Sequence, residues 1–321
     1  MNNAEIVQSL LNDEDIRVKY LNNGIASFNF TNKAFFNSRW NSRTLISRGL
    51  FIDINTEEVY ARSYDKFFAV DERPETKLKT LAKNLEYPVY CYRKENGFLG
   101  ILSCHNGKPF FASKTTNQGE FAENCRRIFY KSTSEEGRKY LYDMLEQLNA
   151  SAVFEVIDPI NDPHIVEYKE EHVVLLNVMK NDFSCPTFWD SINEEVSRKC
   201  GIPCKSLDYI CEDEQTFLDW YKSALEEKDI EGYVCEDSNC YMFKVKNNWY
   251  KYWKRMRSVV QAIASERHSP EAIKQRYRLN KDDESLFNFM LEYVPEYIDK
   301  NLKVPDIITV RNAYYSHNSV L

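Results

Sequence analysis

Glycine is scarce in this sequence, with nine residues in a chain of 321. Neither of the glycine-rich phosphate-binding patterns, GxGxxG and GxxxxGK[ST], occurs. These absences argue against a dinucleotide-binding doubly wound fold and against a P-loop nucleotide hydrolase. The sequence also has no CxxC pair and no apolar run of 18 residues, which argues against a paired zinc cluster and a membrane span.

An export signal is another missing feature, because the first residues form neither a basic segment nor an apolar segment. The nine cysteines are an odd number, so we expect reduced thiols and a protein of the cytoplasm. Cys200, Cys204 and Cys211 could belong to a zinc site, but no histidine and no second cluster of suitable spacing lies near them.

The composition is that of a globular protein, with 43% hydrophobic and 28% charged residues. A chain of 321 residues most often folds as two domains. Strand and helix patterns alternate up to about residue 253, and only helical patterns follow Arg255. We predict one domain over residues 1–254 and a small all-α domain over residues 255–321.

Apolar and polar residues alternate in nine segments that we predict to be strands, at residues 49–55, 59–62, 89–92, 98–104, 109–113, 152–157, 173–179, 232–235 and 241–245. Helical periodicity marks residues 121–130, 135–148, 188–200, 214–226, 258–266, 270–277 and 283–298. His105-Asn106-Gly107 is typical of a tight hairpin turn. The irregular alternation of strands and helices predicts an α+β fold with mainly antiparallel sheets.

Charge is unevenly distributed along the chain. The net charge is −7, yet the window from Lys244 to Lys281 holds eleven Lys or Arg against two acids and carries +9. The remaining residues therefore sum to −16. A basic stripe on an acidic body is expected where one face of a protein holds phosphates, although a solvated basic helix would give the same pattern.

Three short motifs place charges in predicted strands or at their ends. Glu155 and Glu231 each lie between apolar residues, where a carboxylate is costly to bury without a positive partner. Lys244 and Lys246 lie on one side of a strand, about 7 Å apart, where a bound phosphate would relieve their repulsion. Lys94 ends another strand. Each motif alone has an ordinary explanation, such as a solubilising lysine or a protected edge strand.

Together with these motifs, a longer set of segments resembles a known family. SRGLFID, YDKFFAVDE, KENG, ASKTT, FEVIDP, IEGYV and MFKVKNNWY occur in the order and spacing of the RNA ligase 1 family of T-even bacteriophages, across residues 45–252. The resemblance implies a nucleotidyltransferase domain of the ATP-grasp-like ligase type, joined to the small all-α domain. It also implies the activity of an ATP-dependent RNA ligase that works through a lysyl-AMP intermediate.

The resemblance assigns roles to twelve residues. Catalysis falls to Lys94 as the nucleophile and to Lys244 and Lys246 at the α-phosphate. The metal ligands would be Glu231 and Glu95, for Mg²⁺ or Mn²⁺. Binding of ATP, the AMP donor, falls to Arg48, Lys66, Phe68, Gly97, Lys114, Glu155 and Tyr250. The amine of Lys94 must lose its proton to react, so we expect neighbouring cations to lower its pKa.

The implied partner is RNA with 5′-phosphate and 3′-hydroxyl ends, in RNA repair and with cleaved tRNA as one candidate. We expect a monomer with no membrane partner. The motif Lys94-Glu95-Asn96-Gly97 departs from many relatives, which have Asp before the glycine. Alternatives from the residues alone are a DNA ligase, another covalent nucleotidyltransferase, and a non-catalytic module that binds RNA ends.

Overall fold

The computed structural model describes residues 2–184 and 190–318. In those ranges twelve α-helices alternate with strands: α1 Asn3–Leu11, α2 Asn32–Phe36, α3 Ser42–Ile46, α4 Leu78–Asn84, α5 Glu120–Ser132, α6 Glu135–Gln147, α7 Asp190–Cys200, α8 Glu214–Glu226, α9 Asn248–Ala264, α10 Pro270–Tyr277, α11 Glu284–Asn301 and α12 Ile307–Asn318. The thirteen strands are β1 Ile16–Tyr20, β2 Ile25–Phe30, β3 Leu50–Asp53, β4 Glu58–Arg62, β5 Phe68–Ala69, β6 Val89–Arg93, β7 Phe98–His105, β8 Lys108–Ser113, β9 Ala150–Ile157, β10 His172–Lys180, β11 Leu207–Cys211, β12 Gly232–Glu236 and β13 Met242–Lys246.

The strands form three sheets, with orders β1-β2-β3-β4, β10-β9-β7-β8 and β11-β6-β12-β13-β5. Every pairing is antiparallel except that of β13 with β5. The α+β fold with mainly antiparallel sheets is therefore confirmed. The hairpin between β7 and β8 is also confirmed, because Asn106 and Gly107 form its two-residue turn with φ of 52° and 70°.

All nine predicted strands are present, with bounds that shift by at most two residues. The helix predicted from residue 258 begins ten residues earlier, at Asn248, because the side chain of Asn247 caps it by accepting the N–H of Tyr250. Residues 188 and 189 of the predicted helix 188–200 lie outside the described residues. Four strands (β1, β2, β5 and β11) and five helices (α1–α4 and α12) were not predicted.

Helices cover the sheets and leave one cleft between them. Helices α5, α6 and α7 pack on the sheet of β7 and β9, and α4 and α8 pack on the sheet of β6 and β12. The cleft lies where residues of β6, β7, β9, β12 and β13 face one another. Glu155, Lys244 and Lys246 are thus carried by strands at the cleft, and Lys94 and Glu231 lie directly beside such strands.

Helices α9–α12 form a separate core around Phe287, Met290 and Val294. Helix α9 is continuous across residues 254 and 255, so the predicted domain boundary falls inside it. The eight described cysteines are free thiols. Within the described ranges no helix is long and apolar enough to cross a membrane.

Candidate active site

Lys94 stands at the end of β6, where its backbone N–H donates to the carbonyl of Gly232. Its amine lies 3.1 Å from a carboxylate oxygen of Glu231, and the Lys94 side chain as a whole is 20% exposed. Burial favours the neutral amine, but the nearby carboxylates of Glu231 and Glu155 outweigh it and raise the pKa of Lys94. The expected lowering by neighbouring cations is not found, because the nearest charges to this amine are negative.

Glu231 is the centre of a buried network. Its Oε1 lies 2.8 Å from Nζ of Lys246, while its Oε2 accepts from Lys94 and from the amide of Asn96 at 2.7 Å. Burial opposes this charge, and the two lysines overcome it and lower the pKa of Glu231 to about 2. The carboxylate is therefore ionised at neutral pH and holds both lysines at one point.

Arg48, Lys66 and Lys244 are among the cations that line the cleft beside Lys94. Burial, reinforced by the neighbouring cations, lowers the pKa of Lys244 to about 7. Burial also lowers the pKa of Lys66 to about 8, against the opposing effect of Glu72. A polyanion in the cleft would favour the charged forms, so this group of cations suits a phosphate chain.

The structure brings the twelve predicted residues into one region. Six line the cleft itself: Arg48, Lys66, Lys94, Glu95, Glu155 and Lys244. Glu231 is connected to the cleft by its ion pair with Lys94, and Lys246 by its ion pair with Glu231. The ring of Tyr250 lies 4.9 Å from Nζ of Lys246. Lys114 lies near enough to Arg48 for their charges to interact, which, after burial, helps to lower the pKa of Lys114.

Phe68 and Gly97, which were predicted to bind ATP, do not line the cleft directly. Phe68 lies under Lys66, with the amine 3.7 Å from the ring centre, while Tyr64, Phe67 and Tyr92 line the cleft. A Cβ on Gly97 would come within 2.1 Å of the carbonyl oxygen of Val156. Gly97 therefore permits close packing against β9, where its N–H donates to Glu155 at 2.9 Å.

The structure distinguishes the two predicted metal ligands, Glu95 and Glu231. No cluster of three or more metal-ligating side chains occurs in the described parts of the chain. Mg²⁺ commonly binds one or two carboxylates and keeps water or substrate phosphate for its other positions, so such a cluster is not required. Glu95 lines the cleft, with Oε2 accepting the hydroxyl of Tyr168 at 2.7 Å, and fits this role. Both oxygens of Glu231 already hold lysines.

Several residues of the site were not identified from the sequence. Asn96 is buried, and its Oδ1 accepts the backbone N–H groups of Ile165 and Val166. The carbonyl of Ile165 in turn accepts from the buried guanidinium of Arg311 on α12 at 2.8 Å. Lys205 and Glu236 form a buried ion pair on the cleft wall. The sequence drew attention to one of them, Asn96, which stands where many relatives have Asp.

The sequence profile of a family described as RNA ligase, of the T4 RNA ligase 1 type, matches residues 46–250. The chain belongs to this RNA ligase family. The matched range includes all twelve predicted site residues and ends at Tyr250. It stops inside α9, so most of the helical core lies beyond it.

The fold of this RNA ligase family member also resembles the folds of solved structures. A candidate ATP-dependent DNA ligase from Aquifex aeolicus superposes with a TM-score of 0.56 at 15% identity, over 94% of this chain and 81% of that one. An archaeal ATP-dependent RNA ligase gives 0.55 at 12% identity, over 91% and 75%. These superpositions show a shared α+β fold.

Binding of a triphosphate at these cations is expected to take up protons. At pH 8.5 the lowered pKa values leave Lys66 and Lys244 largely neutral, and phosphate oxygens would restore their charges. Proton uptake means that affinity falls as the pH rises from 7 to 9. Calorimetry with α,β-methylene ATP in two buffers of different ionisation heat measures the uptake. Lys244→Met should reduce it by about one proton, whereas no uptake by the wild-type protein would contradict the assignment.

Proposed function

We propose that this chain is an ATP-dependent RNA ligase that joins 5′-phosphate and 3′-hydroxyl ends through a lysyl-AMP intermediate on Lys94. The observation that carries the proposal is the position of the Lys94 amine in one cleft with Arg48, Lys66 and Lys244. An amine in the same cleft as clustered cations suits attack on a phosphate chain once it has lost its proton.

In the first step, the neutral amine of Lys94 attacks the α-phosphorus of ATP. A P–N bond forms, the bond from the α-phosphorus to the bridging oxygen breaks, and pyrophosphate leaves with the electron pair. Lys244 and Lys246 stabilise the charge on the α-phosphate, and Arg48 and Lys66 hold the departing phosphates. Glu231 positions the nitrogen from 3.1 Å. The ammonium proton leaves to solvent before the attack, because a carboxylate with a pKa of about 2 is too weak a base to take it.

Two further transfers complete the reaction. A 5′-phosphate oxygen of RNA attacks the α-phosphorus, the P–N bond breaks, and Lys94 recovers its electron pair and takes up a proton. The 3′-hydroxyl of the second end then attacks the activated 5′-phosphate and releases AMP. Glu155, which faces the cleft, is the proposed acceptor for a ribose hydroxyl of the nucleotide.

A divalent cation is the proposed cofactor, with Mg²⁺ or Mn²⁺ as candidates. Glu95 would be its carboxylate ligand, whereas both oxygens of Glu231 hold lysines. The contribution of the cation when bound is to neutralise charge on the phosphates. We further propose RNA repair, with cleaved tRNA among the substrates, as the setting of this activity.

The experiment has two stages. Incubation with ATP labelled at the α-phosphate should place the label on the protein, and chasing with 5′-phosphorylated RNA should move the label to RNA and yield joined strands. The substrates are a single-stranded RNA, an RNA stem with a cleaved loop, a nicked duplex and their DNA counterparts. Joining of the cleaved loop in preference to the linear strand supports tRNA repair.

Each other outcome identifies an alternative. Preferred sealing of nicked DNA would indicate a DNA ligase, and labelling by GTP in place of ATP would indicate capping chemistry. RNA binding without any label on the protein would indicate a non-catalytic module that holds RNA ends. Absence of label with both nucleotides contradicts the proposed function.

A further inference from the structure

A row of aromatic rings leads from Lys66, one of the cations proposed to bind phosphate, to the protein surface. Its members, called the aromatic path here, are Phe68, Trp40, Phe35 and Phe36. The ring centres are 5.3 Å apart from Phe68 to Trp40, 6.2 Å from Trp40 to Phe35 and 5.4 Å from Phe35 to Phe36. Exposure rises outwards, from 8% at Phe68 to 44% at Phe35 and 79% at Phe36.

Cations surround the inner end of the aromatic path. Nζ of Lys66 lies 3.7 Å from the ring centre of Phe68 and 5.3 Å from that of Trp40. The guanidinium of Arg73 lies 4.6 Å from the Phe68 ring. Lys66 is paired with Glu72 at 3.6 Å, but Lys66, Arg73 and Arg48 still leave an excess of positive charge at this end. Exposing Phe35 and Phe36 leaves apolar surface in water. Both features fit a ligand that has phosphates at one end and flat apolar rings at the other.

The geometry of the proposed reaction indicates which ligand this is. In an in-line transfer the attacking and leaving groups occupy opposite sides of the phosphorus. Lys94 is the attacking group in the first transfer and the leaving group in the second. The RNA 5′-phosphate must therefore enter on the side where pyrophosphate departed, which is the side of Arg48 and Lys66.

We propose that the aromatic path is a stacking surface for the first bases of the RNA strand that carries the 5′-phosphate. This inference rests on the proposed function, because that function defines where the 5′-phosphate binds. Stacking on aromatic side chains next to backbone-binding cations is how proteins hold single strands without regard to sequence. The aromatic path would align the 5′-phosphate for attack and would not contact ATP.

The test replaces the two outer rings, in the double variant Phe35→Ala/Phe36→Ala. Because these side chains are exposed and lie outside the cleft, labelling of the protein by ATP should stay within about twofold of wild type. Transfer of the label to a limiting concentration of 5′-phosphorylated RNA should slow about tenfold or more. The control is Tyr209→Ala, which removes a 46% exposed ring from β11, at the opposite edge of the sheet from Phe68.

A substrate change separates stacking from other effects of the variant. A 5′-phosphorylated strand that lacks its first two bases should be a poor substrate for the wild-type protein and no poorer for the double variant. Unchanged transfer to normal RNA, or an equal loss on both substrates, overturns the inference and leaves the proposed function intact. Absence of label on the wild-type protein overturns both.

Discussion

Replacing Lys94 by alanine is expected to abolish the transfer of label from ATP to the protein. No other amine can replace it, because Glu231 holds Lys94 and Lys246 on its two separate oxygens and only Lys94 extends from the end of β6. Lys94→Arg should be equally inactive, since a guanidinium does not lose its proton to become a nucleophile. Gel autoradiography with α-labelled ATP measures both variants.

The same variants also separate the steps of the reaction. The last transfer begins with AMP already on the RNA, so Lys94→Ala should still join a chemically adenylylated RNA to a 3′-hydroxyl end. Lys222→Ala serves as the control, because that lysine side chain is 74% exposed and pairs with Asp219 of its own helix. Full labelling of Lys94→Ala would show that another residue carries the AMP.

The second large effect is expected at Glu231, where Glu231→Ala should lower the free energy of unfolding by about 3 kcal/mol and slow labelling about 100-fold or more. The substitution leaves two lysines and the buried amide of Asn96 without their shared acceptor. Urea unfolding monitored by far-UV circular dichroism gives the stability, and the labelling assay gives the rate.

The pH dependence of this difference has a defined sign. Because the folded state lowers the pKa of Glu231 to about 2, its stabilising effect is complete above the ordinary value of 4.5 and declines as the pH falls from 4.5 towards 2. The gap between wild type and Glu231→Ala should therefore be constant above pH 6 and shrink below pH 4.5.

A surface ion pair provides the comparison. Glu284 and Lys274 lie 3.5 Å apart with side chains 57% and 40% exposed, so Glu284→Ala should change stability by less than about 1 kcal/mol. If Glu231→Ala lowers the free energy of unfolding by no more than Glu284→Ala does, the buried network around Glu231 does not organise the site.

Much of the site was accessible from the sequence because its residues lie in short motifs whose order is characteristic of the family. Alternation of side chains was enough to predict β6, β9, β12 and β13, and these strands carry Lys94, Glu155, Glu231 and Lys244 or lie directly beside them. Which strands pair was not predictable, because the pairing of β6 with β12 joins residues more than 100 positions apart. The ion pair of Lys94 and Glu231 follows from that pairing.

The same limit explains the unexpected direction of the Lys94 pKa. The sequence shows many lysines near the motif but not which charge lies closest to the amine. Asn96 and Arg311 were missed for a related reason, since their contacts with Ile165 connect three distant parts of the chain. The two-residue strand β5 was too short for alternation to be recognised.

Helix α9 contributes both to the candidate active site and to the core of the C-terminal helices. Its first turn places Tyr250 against Lys246, and its later turns place Met256 and Val260 in the helical core. A rotation of the C-terminal helices would therefore move the proposed α-phosphate site with them. Since thermodynamic coupling is reciprocal, any RNA that binds those helices and changes the affinity for ATP by some factor must have its own affinity changed by ATP by that same factor.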